Sequence, residues 1–247
     1  ITYTQMEGFG HDSITALFAS GDFLMLSWLY YDQRGDDSIM SGDGFSISDD
    51  SGQTWTRVTI PDLFPERAEQ TSYPGTYTVT YDIAFSKGTF WCATTSGFLL
   101  KSDDYGAAWT NILPNTTDFS FTNPNHHGQC VDAYGDTVWV GTFQGMNLST
   151  DRGETWTNFS WPVDGSGNIE DQWPGNFCVA VEHKTIAGKT HVWVGSNPYY
   201  GLGIYGICHT ADNGNTWEYM TTKYNAWNFA FGHASANNAA ISDSTVF

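Results

Sequence analysis

Basic residues are scarce in this chain: nine Lys and Arg stand against 27 Asp and Glu, which gives a formal net charge of −18. Proteins that bind nucleic acid or anionic membranes need basic patches, because phosphate contacts dominate their affinity. The charge balance therefore argues against both kinds of partner. No apolar run approaches the ~18–20 residues of a membrane-spanning helix, so we predict no insertion into a membrane.

Close pairs of metal-ligating residues are also missing. The C-x-x-C pairs of zinc sites and redox motifs do not occur among the four cysteines, Cys92, Cys130, Cys178 and Cys208. No histidines show H-x-H or H-E-x-x-H spacing. His126 and His127 are adjacent, but neighbouring side chains of an extended segment point to opposite sides. We therefore predict no metal site, no cofactor and four free, buried cysteines.

What the chain does contain is one eight-residue motif, [ST]-x-D-x-G-x-x-W, repeated four times. The motif residues are Asp50, Gly52, Trp55, Asp104, Gly106, Trp109, Asp151, Gly153, Trp156, Asp212, Gly214 and Trp217. Each copy lies between two short runs of β-branched and aromatic residues, which indicates a hairpin turn. The Asp can accept backbone N–H bonds, the Gly can adopt positive φ, and the Trp can pack against a neighbouring unit. Repetition at about 50 residues predicts a repeat architecture.

The motif resembles the Asp-box (BNR-type) repeat of sialidases, xyloglucanases and sortilin-type receptors. This resemblance implies an all-β propeller of four-stranded antiparallel blades, with the boxes at the periphery. We therefore predict a single propeller domain over residues 1–247, with about four complete blades and a fifth split between the two ends. Either the chain is a segment of a larger propeller, incomplete at both ends, or it forms a five-bladed ring with one incomplete blade.

Propellers of this kind bind ligands where the connections into the innermost strands meet the central channel. In this chain those connections mix aromatic with hydrogen-bonding side chains, which is typical of a carbohydrate site. The predicted ligand-binding residues are Trp173, Asn176, Trp227, Asn228, His127 and Tyr81.

The resemblance to sialidases stops short of their catalytic residues. Those enzymes clamp a carboxylate with three arginines, but this chain has only four, of which Arg57 and Arg152 fall at peripheral positions. The Phe/Tyr-Arg-Ile-Pro signature of sialidases and the Gly-rich opening of xyloglucanases are also missing. A hydrolase would need two facing carboxylates. Asp12 and Asp82 are the catalytic candidates, with Asp132 and Asp171 as weaker ones.

These observations favour an extracellular binding or adhesion module that recognises a glycan or an extracellular protein on its channel face. Three N-glycosylation triplets, at Asn115, Asn147 and Asn158, agree with an extracellular setting. A glycoside hydrolase of sialidase or xyloglucanase type is the first alternative, and a structural subunit of a surface filament or virus tail is the second. We expect the chain not to be an enzyme.

Overall fold

The part of the chain that the structure describes forms four separate antiparallel β-sheets. The computed structural model describes residues 13–34, 36–59, 79–95, 97–116, 119–120, 122–160, 175–197 and 205–222. These residues contain sixteen strands and one 3₁₀ turn, Pro124–His126. In the same ranges, no helix has the length and apolar character that a membrane span requires. The predicted all-β class is confirmed as a partial β-propeller, whereas the split fifth blade falls outside the described residues.

Each sheet is one blade whose four strands follow in chain order. Blade 1 contains β1 (Ser13–Ser20), β2 (Phe23–Arg34), β3 (Asp37–Ser48) and β4 (Thr56–Val58), and blade 2 contains β5 (Thr80–Ser86), β6 (Thr89–Thr94), β7 (Phe98–Ser102) and β8 (Thr110–Ile112). Blade 3 contains β9 (Gly128–Tyr134), β10 (Thr137–Thr142), β11 (Gly145–Ser149) and β12 (Thr157–Phe159), and blade 4 contains β13 (Phe177–Ile186), β14 (Lys189–Asn197), β15 (Tyr205–Thr210) and β16 (Glu218–Thr222).

The order of the strands fixes which loops share an end of the molecule. The first strands of successive blades, β1, β5, β9 and β13, contact one another in sequence and form the inner wall. Because strands alternate in direction, the loops that enter these inner strands lie at the same end as the connections between the second and third strands. We call this end the entry face. The four copies of the eight-residue motif, which we call boxes, connect third to fourth strands and therefore lie at the opposite end.

The box of blade 3 shows how the turn is held. Asp151 Oδ1 accepts bonds from the Thr155 backbone N–H at 2.9 Å and from Ser149 Oγ at 2.7 Å, while Oδ2 accepts from Thr155 Oγ1 at 2.5 Å. These bonds, those from Thr155 above all, lower the pKa of Asp151 to about 2. Gly153 has a φ of 88°, and Trp156 Nε1 donates to its carbonyl at 3.1 Å. The predicted hairpin turn is present.

The box tryptophans pack against the preceding blade. Trp109 stacks on Phe45 at 4.9 Å, and Trp217 meets Phe159 edge-on at 5.4 Å. Between blades these rings join clusters of buried aliphatic and aromatic side chains, so each core lies between two sheets rather than within one. All four cysteines are buried and free, as predicted.

The box glycines have a second role that the sequence does not reveal. A Cβ on Gly214 would collide with the ring of Phe159, and one on Gly106 would collide with the Ile47 side chain. Phe159 and Ile47 belong to the preceding blade in each case. The missing side chain therefore lets adjacent blades approach, in addition to permitting the positive φ.

Candidate functional site

The entry face brings together two of the predicted ligand-binding residues. His127 follows the 3₁₀ turn and precedes β9, and Asn176 precedes β13. The ring of His127 stacks on Phe143 at 5.3 Å, and Phe143 meets Phe177 edge-on at 4.8 Å. We call His127, Phe143 and Phe177 the aromatic row. All three rings are half-buried, and Asn176 lies beside the row with its carbonyl accepting from the Gly145 N–H at 2.6 Å.

Tyr81 occupies a different part of the inner wall. It is the extra residue of a β-bulge in β5, between Thr80 and Asp82, and similar bulges occur near the start of all four inner strands. Burial of the phenol, together with the nearby Tyr31, raises the pKa of Tyr81 to about 12. Tyr31 belongs to a long hairpin in blade 1. In this hairpin β2 and β3 remain paired from Leu29 opposite Gly42 to Arg34 opposite Asp37.

Four other predicted residues cannot be placed. Trp173, Trp227, Asn228 and Asp12 lie outside the described residues, as does the weaker catalytic candidate Asp171. Trp173 and Trp227 are the two tryptophans among the predicted ligand-binding residues. Their prediction therefore rests on the sequence alone.

A network of amides supports the loop that carries His127. Asn147 Nδ2 donates to Asn125 Oδ1 at 2.8 Å, and Asn125 Nδ2 donates to Asn147 Oδ1 at 3.1 Å. Thr142 Oγ1 donates to Asn125 Oδ1 at 2.9 Å, and Asn158 Nδ2 donates to Asn147 Oδ1 at 3.1 Å. Because Asn147 is fully buried, a glycan cannot be attached there in the folded chain. These amides position the loop by bonding to one another.

His126 has a structural role rather than the metal-binding one considered for the His126–His127 pair. Its ring is 2% exposed, and its Nδ1 accepts from the Ser120 N–H at 3.0 Å. Its Nε2 lies 3.0 Å from Asn123 Nδ2. The expected extended segment is wrong at this point, since Pro124–His126 forms a 3₁₀ turn. The turn buries His126 and leaves His127 in the aromatic row.

A second group of chemically active side chains lines the inner wall. Asp82 on β5 accepts the Val131 N–H of the next blade at 2.9 Å and the Ile83 N–H at 2.9 Å. Asp82 thereby bonds two adjacent inner strands to each other. Burial, with a smaller contribution from the nearby Asp132, raises the pKa of Asp82 to about 7 against the opposing effect of the two hydrogen bonds.

Asp132, Glu182 and His183 continue this group into blades 3 and 4. His183 Nδ1 lies 2.6 Å from Asp132 Oδ2, and its ring packs against that of Tyr134 at a tilt, with the ring centroids 4.3 Å apart. Burial, followed by repulsion from Asp132, raises the pKa of Glu182 to about 8. Burial disfavours protonation of His183, but the bond to Asp132 and the charges of Asp132 and Glu182 outweigh it and raise the pKa of His183. We call Asp82, Asp132, Glu182 and His183 the channel acid cluster.

Sequence reasoning identified half of this cluster. Asp82 and Asp132 were candidates, whereas Glu182 and His183 were missed. A sequence signal was available, because Glu182 and His183 directly follow the apolar start of β13, Phe177–Ile186. Polar residues on an inner strand face the channel or the next blade, where burial changes their pKa values. In the described ranges, no three His, Cys, Asp or Glu side chains are arranged to hold a metal ion.

Comparison with known proteins supports the fold and little more. No protein-family model matches the sequence. No curated protein matches it either. YCF48 from Cyanidioschyzon merolae is similar over 80% of this chain and 57% of its own, at 16% identity and a TM-score of 0.50. The extracellular domain of BT4673 from B. thetaiotaomicron is similar over 90% of this chain and 29% of its own, at 13% identity and a TM-score of 0.50.

An ancestral GH74 enzyme is also similar, over 84% of this chain and 31% of its own, with 12% identity and a TM-score of 0.47. This chain therefore spans less than two thirds of each of these proteins. At such identities the likeness concerns the β-propeller fold and assigns no activity.

Proposed function

We propose that this chain is an extracellular Asp-box β-propeller module, a single domain over residues 1–247, that binds a glycan or protein ligand on its entry face. The observation that carries the proposal is the aromatic row. His127 and Phe143 come from blade 3, Phe177 comes from the start of blade 4, and the three half-buried rings contact one another in that order. Aromatic rings supply contact area to sugars and to peptide side chains.

The surroundings of the row favour recognition over simple core packing. The loop of His127 is held by the amide network, so little conformational entropy is lost when a ligand binds. The long hairpin of blade 1 lies at the same end of the molecule, and its Tyr31 is 62% exposed. Loops and hairpins at one end of a rigid scaffold are where propellers place variable binding surfaces. The net negative charge favours a neutral or basic ligand.

Alanine at Phe143 is expected to weaken ligand binding at least tenfold, because central aromatic side chains dominate binding energy. The Trp173→Ala, Trp227→Ala double variant is expected to abolish binding while leaving the melting temperature nearly unchanged. Labelled protein is screened first on a glycan array and a peptide array, and titration calorimetry follows with each ligand found. Tyr105→Ala is the matched control, because Tyr105 is 59% exposed in an Asp box at the opposite end. Equal binding by Phe143→Ala and wild type would reject the entry face as the site.

A glycoside hydrolase is a second candidate, favoured by the channel acid cluster. Raised pKa values keep Asp82 and Glu182 partly protonated near neutral pH. A hydrolase needs such a proton donor beside an ionised carboxylate, and Asp132 lies close enough to influence both. The test is turnover of an oligosaccharide panel, which Asp82→Asn, Asp12→Asn or Glu182→Gln should abolish. No turnover by the wild-type protein across the panel would remove this candidate.

A further inference from the structure

The line of rings on the entry face continues beyond the aromatic row. Phe119, in the connection from β8 to β9, meets the ring of His127 edge-on, and its own ring is half-buried like those of the row. The centroids of successive rings are 6.4, 5.3 and 4.8 Å apart in the order Phe119, His127, Phe143, Phe177. We call these four residues the extended row. It runs from the loop that enters blade 3 to the first residue of blade 4.

The surroundings of the extended row are uncharged. No Asp, Glu, Lys or Arg occurs in the described segments that carry or flank the four rings, which are 113–116, 119–120, 122–128, 142–146, 158–160 and 175–178. Asp118, between two of these segments in the sequence, lies outside the described residues. A charged ligand group placed on the row would lose water without gaining a described counter-charge, which is unfavourable. The row therefore favours an uncharged ligand.

Two amide side chains beside the row can form further hydrogen bonds. Gln144 follows Phe143 in the connection between β10 and β11 and is half-buried. Its backbone N–H donates to Thr142 Oγ1 and its backbone carbonyl accepts from Asn158 Nδ2, but its side-chain amide makes no hydrogen bond to another described residue. Asn158 is exposed, and its Oδ1 accepts no bond from the described residues. An amide can both donate and accept, as a hydroxyl does.

We propose that the entry face binds an uncharged oligosaccharide of several sugar units, which lies along the extended row from Phe119 to Phe177. This inference rests on the proposed function and names the ligand class of the same site. The apolar faces of the sugars pack on the rings, and Gln144 and Asn158 bond to sugar hydroxyls. Because four rings in sequence engage more than one sugar unit, the end rings determine which chain length binds best.

An uncharged sugar chain fits these groups better than a protein ligand does. Protein interfaces are commonly anchored by Arg side chains and aromatic residues that fill pockets. An Arg of the partner would find no carboxylate among the described residues of the row. A neutral sugar needs only what the row provides, namely aromatic area and amides that donate and accept.

The test is titration calorimetry of the full chain with uncharged manno-, xylo-, cello- and malto-oligosaccharides, from dimers to octamers. At least one series is expected to bind, with an affinity that rises with chain length until the row is covered. Raising the salt concentration from about 0.05 M to about 0.5 M should leave the affinity unchanged, because no ion pair is formed that salt could screen.

Two variants test the roles of particular side chains. Phe119→Ala should weaken the longest chains about three- to tenfold and leave the shortest chains that bind unaffected, whereas Phe143→Ala should weaken chains of every length. Gln144→Ala should weaken binding about threefold or more. It removes no side-chain hydrogen bond within the described residues, so it tests the site even if Phe119→Ala folds poorly. Gln53→Ala, at an exposed glutamine in the box of blade 1, is the matched control and should bind like wild type.

Three results would overturn the proposal: no binding of any of these oligosaccharides, an affinity independent of chain length, or a Phe119→Ala variant that binds the longest chains like wild type. If charged glycans or peptides bound instead and Phe143→Ala abolished that binding, the ligand class would be wrong and the entry face would remain the site. Equal binding of every ligand by Phe143→Ala and wild type would reject the proposed function as well.

Discussion

Replacing Gly214 by alanine is expected to lower the free energy of unfolding by about 2–4 kcal/mol, whereas the same change at Gly188 should cost about 1 kcal/mol. Both glycines have a φ of 80°, so the conformational strain of a new Cβ is the same at the two sites. They differ in what the Cβ would meet. At Gly188 nothing lies within 4 Å, and at Gly214 the ring of Phe159 occupies the space.

The additional cost at Gly214 arises between blades. Phe159 also packs on Trp139 at 6.0 Å and on Trp217 at 5.4 Å, so it cannot move without disturbing the core between blades 3 and 4. Forcing an extra methyl group into a packed interior costs about 1–3 kcal/mol. The box glycine is therefore expected to stabilise the contact between blades as well as the turn.

Denaturant unfolding of the two variants and the wild type measures this difference. The Gly214→Ala, Phe159→Ala double variant provides a further check, because removing the ring removes the collision. In that background the change at Gly214 should cost about as much as the change at Gly188. Equal destabilisation by Gly214→Ala and Gly188→Ala would show that the contact with Phe159 adds no cost at Gly214.

The architecture could be predicted from the sequence because the same local signal occurs four times. The hydrogen bonds of Asp151 and Trp156 stay within their own turn and reach residues at most four positions away. Interactions over such short distances along the chain can be predicted from the sequence. The contact of Gly214 with Phe159 could not be predicted from the sequence, because it depends on how two blades approach each other.

The candidate site was predictable in part for the same reason. His127 and Asn176 lie in loops whose position follows from strand order alone. The 3₁₀ turn that buries His126 depends on bonds to Ser120 and Asn123, which no periodic pattern indicates. The pKa values of Glu182 and His183 are shifted by burial and by Asp132 of another blade, so these shifts arise only when the inner strands are brought together.

Raising the pH from about 5 to about 9 is expected to destabilise the protein, and Glu182→Gln should remove much of this effect. Burial raises the pKa of Glu182 from 4.5 to about 8 and that of Asp82 from 3.8 to about 7. Each carboxyl group therefore keeps its proton in the folded chain at pH values where the unfolded chain has released it. The stabilisation is complete below the unfolded pKa values and is lost as the pH rises through the folded ones.

Two groups act in the opposite direction: burial lowers the pKa values of His126 and His191, so both favour unfolding as the pH falls towards 5. The pKa shifts of Glu182 and Asp82 are the large ones and set the overall sign. His183 also has a raised pKa, so its contribution is lost in the same direction. The lowered pKa values of Asp50 and Asp151, about 2 in each case, affect stability only in more acidic solution. One pKa unit corresponds to about 1.4 kcal/mol. Because Glu182 is partly exposed, we expect only a fraction of its full shift to appear in the free energy of unfolding, a contribution from Glu182 of about 2 kcal/mol.

Urea unfolding at intervals between about pH 5 and pH 9 tests this expectation. The wild-type free energy of unfolding should fall across the range, and the Glu182→Gln profile should be flatter. Glu154→Gln, which alters an exposed glutamate of the blade 3 box, should follow the wild-type curve. A Glu182→Gln profile parallel to wild type would mean that Glu182 is ionised at little cost beside Asp132. In that case the inner wall would hold its acidic side chains as ordinary carboxylates, and the hydrolase candidate would lose Glu182 as its proton donor.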